Sequence, residues 1–256
     1  MHCLQKFLLF HLLTCFTGNA LGSEIIKGKK TNDKSMLYMA SIQNNKGHIC
    51  GGFLVSEDFV VTAAHCDDFN PTSVVLGAHN LKKVDNRTMR YGVKKCKHPS
   101  FVNISSGNDI MLLKLSKKAR PSKKVPIKPI QLPSHQIHLK EKKKCLVAGW
   151  GFTKTKGKVV DELQVVDVPI INLEKCQKQW HNALPANVIC AGGYGTNKGF
   201  CQGDSGGPLV CNGKLAVGVV SFNNNFNCDY PDVPNVYTEI SKHLPWMKKI
   251  IKKKNC

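Results

Sequence analysis

Short apolar runs with strand character recur along this 256-residue chain, and they limit its fold more than any other feature. Many short strands with few helical periods are typical of an antiparallel sandwich or barrel. The chain is therefore predicted to be all-β. Clusters of Gly, Asn, Pro and Lys separate the runs, which cover Phe53–Val55, Phe59–Thr62, Val74–Leu76, Ile110–Leu115, Leu146–Ala148, Pro208–Val210, Leu215–Ser221 and Val236–Ile240.

The start of the chain departs from this pattern. Lys6 precedes the apolar run Phe7–Leu13, and small residues follow at Ala20 and Gly22. This order is typical of a secretory signal peptide, here residues 1–22, and the apolar run is too short to span a bilayer. Removing it leaves roughly 230 residues, which suit a single all-β domain.

Two other segments stand apart from the strand pattern. The Lys- and Pro-rich stretch Lys117–Pro133 is predicted to connect two halves of the domain. Near the C-terminus, apolar residues lie at helical spacing with lysines between them, which predicts an amphipathic helix over His243–Lys254. The apolar residues are Leu244, Met247, Ile250 and Ile251.

The cysteine content indicates disulfide bonds. Two of the twelve cysteines, Cys3 and Cys15, lie in the signal region, which leaves ten. An even number in an exported chain favours disulfides, and no pair has the close spacing of a structural zinc site. No metal or organic cofactor is expected. The ten are Cys50, Cys66, Cys96, Cys145, Cys176, Cys190, Cys201, Cys211, Cys228 and Cys256.

The chain is strongly basic, with 37 Lys and Arg against 17 Asp and Glu and a formal net charge of +20. Such a field attracts polyanions, which for an exported protein are sulfated glycans or anionic cell surfaces. Nucleic acid is a weaker candidate because no nucleic-acid motif accompanies the charge, and a merely soluble basic surface is the plain alternative. The basic groups are Lys94, Lys95 and Lys97; Lys117, Lys118, Arg120, Lys123 and Lys124; Lys140 and Lys142 to Lys144; Lys248, Lys249 and Lys252 to Lys254.

The strongest chemical signal is the hexapeptide Gly203–Pro208, which follows Cys201 and Gln202. A serine hydroxyl is a poor nucleophile unless a base removes its proton. Glycines on both sides of Ser205 allow a tight turn that brings N–H groups near a developing oxyanion. The alternative is a Gly-rich surface loop that contains serine by chance, and the complete hexapeptide argues against it.

Two further segments offer partners for Ser205. Thr62–Cys66 places His65 at the end of an apolar strand, and Asn108–Leu113 places Asp109 at the start of another. Either residue alone could be structural. The chain order His–Asp–Ser is that of the chymotrypsin-type arrangement and differs from the subtilisin and α/β-hydrolase orders.

With these motifs, the sequence resembles the chymotrypsin-like (trypsin-fold) serine peptidases over nearly all of residues 25–251. The segment Met39–Ile42 and the very short pro-region are most similar to the granzyme and mast-cell protease branch. The resemblance implies two six-stranded antiparallel β-barrels with the active site between them. The motifs that carry it are Ile25–Gly28, Cys50–Gly52, Thr62–Cys66, Asp109–Ile110, Gly149–Gly151 and Gly203–Pro208.

The resemblance also implies a role for each site residue in a serine endopeptidase. Ser205 resembles the nucleophile, His65 the general acid/base, and Asp109 the residue that holds the imidazole tautomer. The N–H groups of Gly203 and Ser205 would form the oxyanion hole. The segment Ser221–Phe222–Asn223 matches the strand that pairs with the substrate backbone.

Storage as a zymogen is a further implication. Signal cleavage after Gly22 would leave the dipeptide Ser23–Glu24, which a dipeptidyl peptidase removes in the granzyme branch. The peptidase domain would then cover residues 25–256. The freed Ile25 ammonium would pair with Asp204, because an unpaired buried carboxylate costs several kcal/mol. A secreted or granule-stored enzyme is expected.

The primary specificity pocket is expected to be shallow and uncharged. Gly199 stands where trypsin-like members carry the aspartate that pairs with substrate Arg or Lys, and Phe200 adds apolar bulk beside it. Asn223 and Asn235 stand where deep pockets often carry glycine. Small or medium uncharged substrate residues are favoured, since the charge of Arg or Lys would be buried without a partner.

Other covalent links also follow from the sequence. The family pattern implies the disulfides Cys50–Cys66, Cys145–Cys211, Cys176–Cys190 and Cys201–Cys228. Some granzymes lack the last bridge, so this chain is nearer to those that keep it. Cys96 and Cys256 are left over and could pair, bind another chain or stay free. Asn86 and Asn103 begin N-glycosylation acceptor sequences.

Several alternatives remain open at this level. Asp229 or Asp232 could swing into the pocket and restore basic specificity, although both lie in a loop that the family keeps at the pocket rim. The chain could be an inactive homologue that binds glycans or cell surfaces, but such a homologue would usually have lost one triad member. A nucleic-acid-binding module would need an aromatic-basic motif that is missing here.

Overall fold

The structure, a computed structural model, describes residues 25–123, 125–224, 227–228 and 233–256. The predicted signal peptide, the dipeptide Ser23–Glu24, Asp229 and Asp232 lie outside the described residues. The strands are β1 (Lys29–Lys30), β2 (Met39–Asn44), β3 (Gly47–Ser56), β4 (Phe59–Thr62), β5 (Ser73–Leu76), β6 (Arg90–Lys97), β7 (Met111–Leu115), β8 (Lys144–Gly149), β9 (Gln164–Ile171), β10 (Val188–Ala191), β11 (Pro208–Cys211), β12 (Leu215–Phe222) and β13 (Asn235–Glu239). The α-helices are α1 (Leu173–Gln179) and α2 (Ile240–Lys253).

The N-terminal half forms a closed antiparallel barrel with the strand order β2–β3–β4–β7–β6–β5. Strands β4 and β7 pair with Val60 opposite Leu113, so two of the predicted apolar runs lie side by side. Phe53 and Phe59 are fully buried in its interior. Burial of large apolar side chains from neighbouring strands is the main force that holds such a barrel closed.

The C-terminal half forms the second closed barrel. Its strands follow the order β9–β10–β13–β12–β11–β8, and β8 pairs with β9 to close the ring. The short strand β1 adds to the outer side of β9, with Lys29 opposite Val165. Val147, Leu209 and Tyr237 are fully buried in its core. The prediction of two six-stranded antiparallel barrels is therefore confirmed.

The predicted C-terminal helix is present as α2. It begins at Ile240, three residues before the predicted start, because the run assigned to the last strand already turns into helix there. Ile240, Leu244 and Met247 are buried and pack into the core of the N-terminal half. No helix among the described residues is long and apolar enough to cross a membrane.

The segment from residue 116 to 143 joins the two barrels and contains the predicted connector. It is not a free linker, because Val125, Ile127 and Ile130 are buried against the N-terminal core. Gln131 also forms a bridge with Leu215 on β12. The connector therefore packs across both halves and fixes the barrels relative to each other.

Five disulfides lie within the described residues. Four are the pairs that the family resemblance implies: Cys50–Cys66, Cys145–Cys211, Cys176–Cys190 and Cys201–Cys228. The two remaining cysteines, Cys96 and Cys256, also pair, across 160 residues of sequence. This fifth bridge ties the end of the chain after α2 to strand β6.

Candidate active site

A cleft of about 570 Å³ lies between the barrels and brings together His65 and Ser205. His65 belongs to the 3-10 helix Ala64–Phe69, which follows β4 directly. Asp109 lies just before β7 of the same barrel. Ser205 lies in the turn before β11 of the other barrel. Each barrel therefore supplies a part of the site, and the cleft exists only where the two halves meet.

Asp109 and His65 are joined by two hydrogen bonds. The Nδ1 atom of His65 lies 2.7 Å from Oδ2 of Asp109, and the backbone N–H of His65 donates to Oδ1 at 2.9 Å. The Ser221 hydroxyl donates to Oδ2 at 2.6 Å. Burial raises the pKa of Asp109, but the hydrogen bonds from His65 and Ser221 outweigh it, so the pKa lies below its usual value.

This pairing fixes the tautomer of His65. An ionised Asp109 can only accept, so Nδ1 of the neutral imidazole must carry the proton. The other ring nitrogen, Nε2, is then an unprotonated base in the cleft. No hydrogen bond among the described residues joins it to the Ser205 hydroxyl, although both residues line the same cleft. Catalytic hydrogen bonds are often loose in unliganded sites and tighten when substrate binds.

The turn that leads to Ser205 contains the backbone N–H groups of Gly203 and Ser205, which are the expected oxyanion donors. The N–H of Asp204 donates to the Cys201 carbonyl at 3.1 Å, and Gly203 has φ of +92°, a left-handed value that favours glycine. The Gln202 carbonyl accepts from the N–H of Phe152 at 2.7 Å. Within the described residues, the N–H groups of Gly203 and Ser205 make no hydrogen bond.

Asp204 is fully buried directly behind this turn. Its carboxylate accepts from the N–H groups of Gly151 at 2.8 Å and Cys201 at 2.9 Å. Burial outweighs these two bonds and raises the pKa to about 7. Gly151 has to be glycine here, because a Cβ would lie 2.5 Å from Cγ of Asp204. Ile25 is also fully buried, in the core of the C-terminal half.

The residues expected to form the specificity pocket fall into two groups. Phe200, Ser221, Phe222 and Asn223 line the cleft, whereas Gly199 and Asn235 are absent from its described lining. Asn235 is fully buried, and its Oδ1 accepts from the Phe200 N–H at 3.3 Å. The Phe200 ring packs edge-on against Tyr237 at 5.3 Å, which places most of its bulk in the barrel core.

Several lining residues could not be found from the sequence motifs. The Trp180 ring packs edge-on against the ring of Phe222, with 5.2 Å between the ring centroids. Its Nε1 donates to the Pro234 carbonyl at 2.9 Å. Ile49, Phe69 and Ile104 add further apolar surface. Single apolar residues in separate parts of the chain carry no local signal, so only the fold shows that they meet.

One cluster of possible metal ligands lies among the described residues: Cys50, His65 and Cys66. The two sulfur atoms are bonded to each other, so they are not thiolates. Zinc binding by cysteine requires thiolates, and this cluster therefore offers only the imidazole of His65.

Comparison with known proteins agrees with this geometry. A profile of the trypsin family matches residues 25–247. The chain is 41% identical over 244 residues to duodenase-1 from Bos taurus, covering 94% of each chain. It is 39% identical over 255 residues to granzyme B from Rattus norvegicus, covering 97% of this chain and 100% of the relative. It is also 39% identical over 250 residues to mast cell protease 3 from Ovis aries, covering 96% of both.

Proposed function

This chain belongs to the trypsin family and is a serine endopeptidase, and we propose that it uses Ser205 as nucleophile, His65 as general base and Asp109 to orient His65. The observation that carries the proposal is the 2.7 Å contact between His65 and Asp109 at the cleft that Ser205 also lines. That contact leaves Nε2 of His65 available as a base.

In the proposed reaction, Oγ of Ser205 attacks the substrate carbonyl carbon while Nε2 of His65 accepts the hydroxyl proton. The carbon–nitrogen bond then breaks, His65 gives its proton to the leaving amine, and the acyl group stays on Oγ. Water attacks this ester and passes a proton to His65, which returns one to Ser205 as the acid leaves. The Asp109 carboxylate stabilises the imidazolium that forms in each half.

The backbone around Ser205 supports this chemistry. The N–H groups of Gly203 and Ser205, which have no hydrogen-bond partner among the described residues, are the proposed donors to the oxyanion. Ser221 and Phe222 end strand β12 at the cleft and Asn223 follows them, so this segment can pair with an extended substrate backbone. Donors fixed before the reaction stabilise the developing charge without reorganisation.

The proposed specificity is for small or medium uncharged residues. Gly199 offers no carboxylate, and Oδ1 of the buried Asn235 accepts from the Phe200 N–H and so holds the backbone behind the cleft wall. Asn223 Nδ2 donates to the Asn227 carbonyl at 3.2 Å, so this side chain is held at the cleft. Peptides that differ only at the residue before the cut test this proposal. Highest efficiency for Arg or Lys would contradict it.

Export and activation are also proposed. The relatives include a granzyme and a mast cell protease, which supports a secreted or granule-stored enzyme. Removal of the signal peptide and then of Ser23–Glu24 by a dipeptidyl peptidase would free the Ile25 ammonium for Asp204. Asn86 and Asn103 are exposed and are proposed glycosylation sites. N-terminal sequencing and a mass shift on deglycosylation check both proposals.

Sulfated glycans are the proposed non-substrate partner. The Cys96–Cys256 bridge joins two lysine groups into one surface, and Lys94 Nζ donates to Oδ1 of Asn255 at 3.1 Å. On a heparin column, alanine at both Lys252 and Lys253 should lower the eluting salt concentration more than alanine at two other exposed lysines, Lys27 and Lys29. Equal elution of the two variants would count against this surface.

Ser205→Ala tests the central proposal. Without the nucleophile, turnover of a peptide substrate should fall by about 10⁶-fold, as it does when related triads lose this residue. Ser122→Ala, in the connector away from the cleft, is the matched control and should keep the wild-type rate. If purified, folded Ser205→Ala kept the wild-type rate, Ser205 could not be the nucleophile.

A further inference from the structure

A histidine outside the proposed triad contacts the oxyanion turn. His48 lies on β3, partly buried against Trp150, with the two rings edge-on at 5.7 Å. Its Nε2 lies 2.9 Å from the Gly203 carbonyl oxygen, and its Nδ1 lies 2.8 Å from Oγ of Ser41 on β2. Both ring nitrogens are therefore engaged, one towards each barrel.

The partners determine the direction of every proton in this contact. The Gly203 carbonyl can only accept, so Nε2 of His48 carries the proton and donates it. In the neutral imidazole, Nδ1 is then an acceptor, and the Ser41 hydroxyl must donate to it. Desolvation lowers the pKa of His48 to about 4, which agrees with a neutral ring at physiological pH.

Further hydrogen bonds continue this chain within the N-terminal barrel. Because the Ser41 hydroxyl donates to His48, it can accept from Nε2 of Gln43, which lies 2.9 Å away. Oε1 of Gln43 accepts in turn from Nη2 of Arg90 at 2.9 Å. Arg90 is itself held by Oγ of Ser73 at 2.7 Å and by Oδ1 of Asn86 at 2.8 Å.

These bonds form one directed relay, Arg90 to Gln43 to Ser41 to His48, which ends on the carbonyl of Gly203. No member can reverse without breaking its neighbour, since Arg90 only donates and the carbonyl only accepts. Hydrogen bonds linked in this way polarise one another and rigidify the groups at their ends. The relay thus ties the oxyanion turn to the opposite barrel.

The contact at Gly203 bears on the orientation of the proposed oxyanion donors. Its carbonyl belongs to the peptide between Gly203 and Asp204, and the peptide before it is held through the Gln202 carbonyl by the N–H of Phe152. The left-handed φ of Gly203 depends on both planes. The Gly203 N–H belongs to the earlier peptide, so His48 affects it through the ψ angle of Gly203. The peptide that His48 contacts is also held by the Asp204 N–H, which donates to the Cys201 carbonyl at 3.1 Å, so loss of the His48 contact should loosen the turn in part and misalign the Gly203 N–H.

We propose that His48 is a positioning residue for peptide hydrolysis, held by the relay from Arg90 and acting through the Gly203 carbonyl on the oxyanion donors. The inference rests on the proposed function, because it assigns these N–H groups to the oxyanion. His48 touches neither Ser205 nor substrate in this scheme. Its effect should therefore be on stabilisation of the tetrahedral state and not on ground-state substrate binding.

The test compares His48→Leu, which lacks a donor, with His48→Gln, whose amide can still donate to Gly203. Loss of an oxyanion donor itself lowers kcat by about 10²–10³-fold, and an indirect effect through His48 should be smaller, about tenfold. For His48→Leu we expect that fall in kcat on a peptide amide with KM within about twofold. The Gln variant should recover most of the loss.

A peptide boronate provides a readout that a merely structural role would not move. Boronates form a tetrahedral adduct on the serine, with one oxygen in the oxyanion position. Affinity for the boronate should fall in proportion to kcat in His48→Leu, while affinity for the product acid stays unchanged. The matched control is His79→Leu, which removes a histidine bonded to the Ser35 carbonyl at 2.8 Å and should change neither affinity.

Ser41→Ala keeps the test decisive if His48→Leu does not fold. It removes the hydroxyl that fixes the His48 tautomer and should lower kcat and boronate affinity together by about threefold, the effect of one lost hydrogen bond of less than 1 kcal/mol. Wild-type kcat and boronate affinity in His48→Leu or in Ser41→Ala would overturn the proposal. Absence of cleavage by the wild-type enzyme would instead overturn the proposed function.

Discussion

Two buried aspartates flank the cleft, and their carboxylates have opposite surroundings. Asp109, 1% exposed, accepts from the backbone and ring of His65 and from the Ser221 hydroxyl, and its pKa lies below the usual value. Asp204, fully buried, accepts from the N–H groups of Gly151 and Cys201 and from no other described residue, and its pKa rises to about 7. Since the two aspartates are buried to a similar extent, the difference between their pKa values comes from the groups that donate hydrogen bonds to each carboxylate.

The two carboxylates therefore differ in whether they already have a cationic partner. Asp109 has a partner that becomes cationic during the reaction, and its site therefore needs nothing further. Asp204 has no cationic partner among the described residues. A cation at this point would lower its pKa and keep it ionised. The partner that we propose is the ammonium freed at Ile25, a residue that is fully buried in the adjacent core.

Substitution of Asp109 should have a larger effect on activity than substitution of Asp204. Asp109→Asn keeps the size of the side chain but no longer favours the tautomer that leaves Nε2 of His65 as a base. We expect kcat to fall by about 10⁴-fold, the loss that this change produces in a related serine protease. Asp167→Asn on β9, a partly exposed aspartate paired with Lys198, is the control and should stay near wild type. A loss of less than tenfold at Asp109 would show that it does not orient His65.

Asp204→Asn should have the next largest effect, and only in the processed enzyme. There it would leave the Ile25 ammonium without its anion, a loss of about 3–5 kcal/mol that corresponds to roughly 10²–10⁴-fold in activity. In the unprocessed chain at pH 8, the same change removes an unpaired buried charge and should raise the free energy of unfolding. Urea titrations of both forms measure this, and destabilisation of both would contradict the comparison.

The pH dependence of stability gives a further contrast. In the unprocessed chain, the pKa of Asp204 rises to about 7 from an unfolded value of 3.8, so the folded state holds a proton that the unfolded state has released between these values. The free energy of unfolding should fall by about 1.4 kcal/mol per pH unit across this range as pH rises. Asp109 acts in the other direction, since its lowered pKa stabilises the fold above the unfolded pKa and this is lost on acidification. The Asp204→Asn variant should lose the downward slope, and an unchanged slope would contradict the assignment to Asp204.

Much of the fold could be predicted from local sequence. Strands β6 and β9 could not, because residues that are unusual in strands interrupt their local signal. The runs that become β4 and β7 are mostly apolar because nearly every residue of these strands is buried, the half-buried Lys114 excepted. Strand β6 was missed because Arg90 and three lysines interrupt it, and only its pairing with β5 and β7 makes it a strand. Strand β9 contains Pro169, which weakens a strand signal although β8 pairs with it along its length.

The residues of the site also fall into those that local motifs predict and those that only the fold brings together. His65, Asp109 and Ser205 occur in motifs whose chemistry is local, so sequence alone suffices to select them. Trp180, which follows α1, and Phe222, which ends β12, are far apart in the sequence and meet only in the folded C-terminal half. The unpaired state of Asp204 depends on burial and on the donors around it, and no sequence pattern reports either.

The most direct measurement compares two forms of the enzyme that differ only at the start of the chain. One begins at Ser23 and the other at Ile25, and both are assayed on the same peptide substrate. Only the form that begins at Ile25 can make the buried ion pair with Asp204. Its catalytic efficiency should therefore be higher by about 10²-fold or more, and the two forms should differ little when both carry Asp204→Asn. Equal efficiency of the two forms would contradict the claim that Asp204 requires the Ile25 ammonium.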